Sequence, residues 1–281
     1  MRPVFLMAIG IAYALQFTCI ATKPSHPESV AEMLGQDGAR QFNSGNFSDA
    51  LRLYRRALAE AGRIDNPALR ARYQFNIGRV FYECSLPDSA RKRFRESALL
   101  FSQCGNREDA AVAGVYTALT FAYGGTPDTA AILLEQYAPA AGEANRGIVA
   151  TAGTIIRLLQ GELEQAQRES EEAMELACGR KDPFLCGGVF YTQAMIAFAG
   201  KNIGQSRALL DSSLQYYAQS PYRFRNWKSL LGRAIVEYCS GDSLTATRFY
   251  RRSKMAAPAM VVFPAPELVR NCPDGLPMQG H

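Results

Sequence analysis

The 281-residue chain offers little for proton transfer or metal binding. Its two histidines, His26 and His281, stand near the ends. A body without histidine has no Ser/His/Asp or Cys/His arrangement and no histidine pair to hold a metal. There is no GxxxxGK[ST] phosphate loop and no strand-led GxGxxG, and Gly124-Gly125 reads as a turn. None of the seven cysteines sits in a CxxC or in a Cys/His spacing suited to zinc. Cys178 and Cys186 bracket only GRKDPFL and are the expected disulfide pair by proximity; Cys84, Cys104, Cys239 and Cys272 cannot be paired from sequence. Glu83 is a lone carboxylate among apolar residues. Burial alone would raise its pKa, but a paired or solvent-reaching carboxylate is the expectation. No catalytic residue, cofactor or metal is expected, and the chain reads as a non-enzyme.

One cysteine stands apart. Met1-Arg2-Pro3 precedes the apolar run VFLMAIGIAYALQFT, Val4 to Thr18. One cation ahead of such a run is the layout of an export signal, and a membrane-spanning helix needs about 20 apolar residues. The run ends at Gln16-Phe17-Thr18-Cys19, which resembles the end of a bacterial lipoprotein signal, where the cysteine is lipidated. Cleavage after Cys19-Ile20-Ala21 is the alternative, leaving Thr22 first. The expected division is a signal over 1–18, a polar tether over 19–30, a repeat domain over 31–258 and a proline-rich apolar tail over 259–281. The resemblance implies export to the bacterial envelope, periplasmic or held at the outer membrane by a lipid on Cys19.

The elements behind these residues repeat. Gly38, Ala50, Tyr54 and Ala57 form one set, and Gly78, Ala90, Phe94 and Ser97 the next. Ala118, Ala130 and Leu134 follow, then Thr154, Ala166 and Ala173. Ala194, Ser206, Leu210 and Ser213 make the fifth set, and Ala234, Ala246, Tyr250 and Ser253 the sixth. The second small residue is always twelve after the first, and the sets advance by 40, 40, 36, 40 and 40 residues. Small residues at paired positions let two helices approach closely. Helix-breaking turns fall between them, as at Ser44-Gly45-Asn46 and Ser240-Gly241-Asp242.

The segment GNFSDALRLYRRAL (Gly45 to Leu58) resembles the middle of a tetratricopeptide repeat (TPR), a helix–turn–helix unit of about 34 residues. The resemblance implies an all-α, right-handed solenoid of about six degenerate repeats, or twelve helices. The additional residues per step are expected to lengthen the second helix and the inter-repeat loop, as in GRIDNPA, Gly62 to Ala68. The family binds partners on the concave face, lined by the first helix of each pair. The corresponding positions here hold Phe42, then Arg79 and Tyr82, then Leu119, then Ile155 and Leu158. Tyr191, Met195 and Phe198 continue the face, and Leu231, Ile235 and Tyr238 close it. Three readings stay open for this apolar face: packed core, a groove for a ligand or partner segment, or a seat for the chain's own C-terminal tail.

Arginines recur instead on second helices, among them Arg52, Arg55, Arg56, Arg93, Arg95, Arg248, Arg251 and Arg252. The net charge of +5 is too weak and scattered to point to nucleic acid. The reading that follows is a non-catalytic scaffold binding protein partners in the envelope. The alternative is a periplasmic carrier of a small hydrophobic ligand, of the kind that some TPR lipoproteins of TRAP-type transporters resemble.

Overall fold

The computed structural model describes residues 29–179, 182–220 and 222–261. The expected signal, Cys19, and tail residues 262–281 lie outside the described residues, as does the side chain of Cys178.

Twelve α-helices are present among the described residues, in six antiparallel pairs. They are α1 (Val30–Asn43) with α2 (Phe47–Arg63), α3 (Pro67–Glu83) with α4 (Pro87–Gln103), and α5 (Arg107–Tyr123) with α6 (Pro127–Tyr137). The second half has α7 (Arg146–Gln160) with α8 (Leu163–Gly179), α9 (Pro183–Ala199) with α10 (Ile203–Gln219), and α11 (Asn226–Cys239) with α12 (Ser243–Ala256). Each helix packs on its neighbours in sequence, giving the helix–turn–helix array that the sequence implies.

The 40-residue step has a simple origin. Helices α2 to α5 are each 17 residues long, and three-residue turns separate them. Both helices of a pair therefore carry the additional length. The link at Ile64–Asn66 is short, contrary to the expected longer loop. The single 36-residue step falls where α6 stops after 11 residues at a 3-10 turn holding Pro139, whose ring cannot continue a helix.

Turn chemistry repeats at the same interval. Within the six pairs one residue adopts left-handed φ: Gly45 (80°), Ser85 (60°), Gly125 (88°), Gly161 (85°), Lys201 (63°) and Gly241 (91°). Asn66, Asn106, Asn202 and Asp242 cap the following helices by accepting a backbone N–H three residues on, as short polar side chains do at an N-cap.

All six small-residue pairs are buried. At Gly78 a methyl group would lie 2.7 Å from the Phe94 ring, and at Gly38 2.7 Å from the Tyr54 ring. The aromatic four positions after the second small residue thus rests on the first helix's glycine. At the fifth pair, Ser206 Oγ donates to the Ala194 carbonyl at 2.8 Å, satisfying a buried hydroxyl at the crossing.

The array also curves back onto itself. Phe224, just before α11, makes edge contacts with Phe42 and Phe47 at ring separations of 5.9 and 5.2 Å. Aromatic pairs of this kind add roughly 0.5–1.5 kcal/mol each beyond their buried area. The last repeat is therefore seated against the first.

Candidate functional site

Ten of the twelve side chains expected on the inner face are buried: Phe42, Tyr82, Leu119, Ile155, Leu158, Tyr191, Met195, Phe198, Leu231 and Ile235. Arg79 and Tyr238 are half-buried. The structure brings the ten together as packed interior, because curvature tight enough to seat repeat six on repeat one leaves the first helices converging. Arg79 instead lies over the Phe42 ring, 4.6 Å from its centroid.

The centre of this interior is charged. Glu83 is the last residue of α3, Arg225 is the N-cap of α11, and Lys228 sits in the first turn of α11. Arg225 Nη2 donates to Glu83 Oε1, and Lys228 Nζ donates to Oε2 at 3.2 Å. The three side chains are at most 5 % exposed. The arginine plane also faces the Phe184 ring at 4.4 Å. Each charge is placed against its own helix dipole: an anion at a C-terminus and cations at an N-terminus, each position unfavourable by about 0.3–1 kcal/mol. The pairing between α3 and α11 offsets those terms, so Glu83 is a paired carboxylate, one of the two alternatives left open by the sequence.

Arg225 and Lys228 were not among the expected site residues. Their signal is the basic and aromatic run YRFRNWK, Tyr222 to Lys228, at the entry to α11. Burial holds the Lys228 amine below the ordinary lysine range, with the Glu83 carboxylate pulling the other way. Burial pushes the phenols of Tyr116 and Tyr217 up to about 12, and those of Tyr82 and Tyr191 well above their ordinary value. The Tyr191 hydroxyl is buried with no hydrogen-bond partner among the described residues. Chemically the cluster can clamp two parts of the ring together.

A second charged joint lies between α10 and α11. Glu237 accepts from Arg207 Nε at 3.1 Å and Nη2 at 2.5 Å, and Arg233 Nε lies 2.7 Å from its Oε1. Cys186 is buried on α9, while its expected disulfide partner Cys178 has no described side chain. No group of three or more His, Cys, Asp or Glu able to hold a metal occurs among the described residues. None of the helices made of described residues is long and apolar enough to cross a membrane.

The described start of the tail returns to the seam between first and last repeats. Pro258, Ala259 and Met260 line a cleft of about 340 Å³ with Ser44, Asn46 and Phe224. Met260 and Val261 pack, half-buried, against the main core.

No family model and no curated protein matches the chain. In three dimensions it is similar to a Rap protein solved in complex with Competence and Sporulation Factor. The TM-score is 0.67 at 14 % identity, over 83 % of this chain and 66 % of that one. At such identity the likeness shows the fold. The repeat is TPR-like. This chain spans just under two thirds of that structure's length. The envelope localisation expected from the leader does not stand: the leader lies outside the described residues, and the likeness to a Rap protein gives that localisation no support. A lipid anchor and a membrane partner gain no support from it.

Proposed function

We propose that this chain is a non-catalytic, TPR-like helical scaffold that binds a protein or peptide partner on its outer surface. The observation that carries the reading is a set of arginines on the second helices that no acidic side chain answers among the described residues. Arg55 and Arg56 on α2, Arg95 on α4, and Arg248 and Arg252 on α12 are exposed, and none enters an ion pair among the described residues. Exposed apolar side chains accompany them: Ile64 (53 %), Leu99 (61 %) and Met255 (87 %). Arginine and methionine beside apolar surface is the composition enriched at protein interfaces. The Rap likeness, from a structure that holds a bound factor, supports the same class of function.

Carriage of a small hydrophobic ligand is the weaker reading, because the apolar side chains it would need are packed against one another. A photo-crosslinking residue at Leu99 or Met255 of the full chain, in extract from the source cells, tests the choice. The scaffold reading expects one protein captured from both positions, whose affinity, remeasured with purified components, falls at least about tenfold on reversing Arg95 and Arg252. Native mass spectra showing a bound apolar small molecule, with no protein captured from either position, would sink it.

A further inference from the structure

The two ends of the array present complementary halves of the joint that unites its fifth and sixth repeats. In that joint Ser213 and Ser229 of α10 and α11 share a hydrogen bond of 2.8 Å. A methyl group on Gly232 would lie 3.1 Å from Leu210, and Arg233 donates to the Asp211 carboxylate at 3.2 Å. One 40-residue step forward carries Leu210, Asp211 and Leu214 of α10 onto Tyr250, Arg251 and Lys254 of α12. The repeat register, which equates Ala234 with Gly38, carries Arg233 of α11 onto Asp37 of α1. The pair that is Asp–Arg inside the array is therefore Arg–Asp between its two ends.

Both halves keep solvent-accessible side chains. Ser229, Gly232 and Val236 are buried on α11, whereas their counterparts Met33, Gln36 and Arg40 on α1 are exposed. Asp37 is 44 % exposed and, among the described residues, meets only Arg40 of its own helix as an ion pair. On α12, Arg251 and Lys254 are exposed and enter no ion pair among the described residues. Earlier second helices pack on the first helix that follows them, while α12 packs chiefly on α11. Helix α12 carries four cations and no acid. The chain's own tail, with Glu267 and Asp274 against Arg270, has little charge to answer it.

We infer that α12 of one copy of this chain docks on α1 of a second copy, continuing the array head to tail with Arg251 facing Asp37 across the joint. The contact is heterologous, so it extends into oligomers until the path closes. It stands apart from the partner-binding reading, which uses the outward arginines.

Sedimentation velocity of the full chain tests it, over a concentration series reaching about 1 mM at about 10 mM ionic strength, where charge pairs act at their longest range. The wild type is expected to associate with rising concentration, and added salt to weaken that association. Asp37→Arg and Arg251→Asp should each lower the association constant at least about tenfold, and the double variant Asp37→Arg/Arg251→Asp should restore it. Both sites are on the surface; should a single variant lose helical circular dichroism, the salt series of the wild type reads the same pair. A monomer at every concentration, association insensitive to salt, singles that associate like the wild type, or a double variant that stays dissociated overturns the inference.

Discussion

Arg225 donates to Glu83 across 142 positions of sequence, joining the entry of α11 to the exit of α3. Lys228 shares the same carboxylate at 3.2 Å. Neither helix gains from its own charge at that end, so the pairing is a property of the curved array and of no local segment. It explains how an apolar interior accommodates three ionisable side chains, since each finds its partner only where α3 and α11 meet.

Glu83→Gln removes the shared acceptor charge and leaves two cations buried. Breaking a buried pair from one side costs about 3–5 kcal/mol, and that loss is expected in urea unfolding. A cycle with Arg225→Gln should show coupling of about 0.5–3 kcal/mol, the range for residues in one network. A loss below about 1 kcal/mol, with additive single variants, would mean the ring does not depend on this clamp.

Stability should collapse at alkaline pH. Burial raises Tyr54, Tyr116 and Tyr217 from 10 to about 12, and Cys84 from 9 to about 12. The folded state holds these protons more tightly than the unfolded chain. Their contribution is thus complete below pH 9 and is lost as pH rises through about 12. Two units correspond to roughly 3 kcal/mol per tyrosine. Lys228, held low, works in the opposite sense, adding stability as pH climbs toward its unfolded value of 10.5. Urea midpoints should fall between about pH 10 and about pH 11.5, with these phenols ionising together in the ultraviolet as the chain unfolds. Ionisation near pH 10 in the folded protein would refute the burial argument.

The fold was legible because its signal is local. Twelve residues separate Gly78 from Ala90, and that spacing alone sets one helix pair. The turns could be read at the same period, although Ser85 and Lys201 hold left-handed φ without being glycine. Closure was not legible, since it depends on small rotations summed over six repeats. That is why Tyr191 and Met195 can be placed on an inner face from sequence while groove and core stay undecided. Arg225 and Lys228 lie nine and six positions before Ala234, outside the face positions that the TPR register marks. The leader's Cys19 pointed to the envelope by a four-residue resemblance, too short a signal to carry a localisation, and the likeness over 83 % of the chain gives it no support.

One substitution should act with opposite signs at two glycines. Gly78→Ala pushes a methyl group to 2.7 Å from the Phe94 ring. Overpacking of this kind costs about 1–3 kcal/mol, against a helix-propensity gain of about 1 kcal/mol. Gly62→Ala, in the last turn of α2, meets nothing within 4 Å and should stabilise by up to about 1 kcal/mol. Thermal unfolding of both variants reads the difference directly. Equal shifts would show that the helix crossing does not need a bare backbone at position 78.

The turns offer a test that touches no packing. Lys201 and Ser85 adopt φ of 63° and 60°, a region that costs an L-residue roughly 1–2 kcal/mol. Their counterparts Gly45, Gly125, Gly161 and Gly241 hold it without that strain. Lys201→Gly gives up side-chain conformational restriction in the unfolded chain, which offsets part of the relief. A net gain of about 0.5 kcal/mol is expected from each of Lys201→Gly and Ser85→Gly, roughly additive because the turns share no partner. Gly125→Ala runs the other way: nothing lies within 4 Å of the added methyl group, so a loss of about 1 kcal/mol would be backbone strain alone. If Gly125→Ala is neutral, left-handed geometry is not what fixes the 40-residue step. The turn would then be set by its flanking caps, and Asn202→Ala should become the more damaging change.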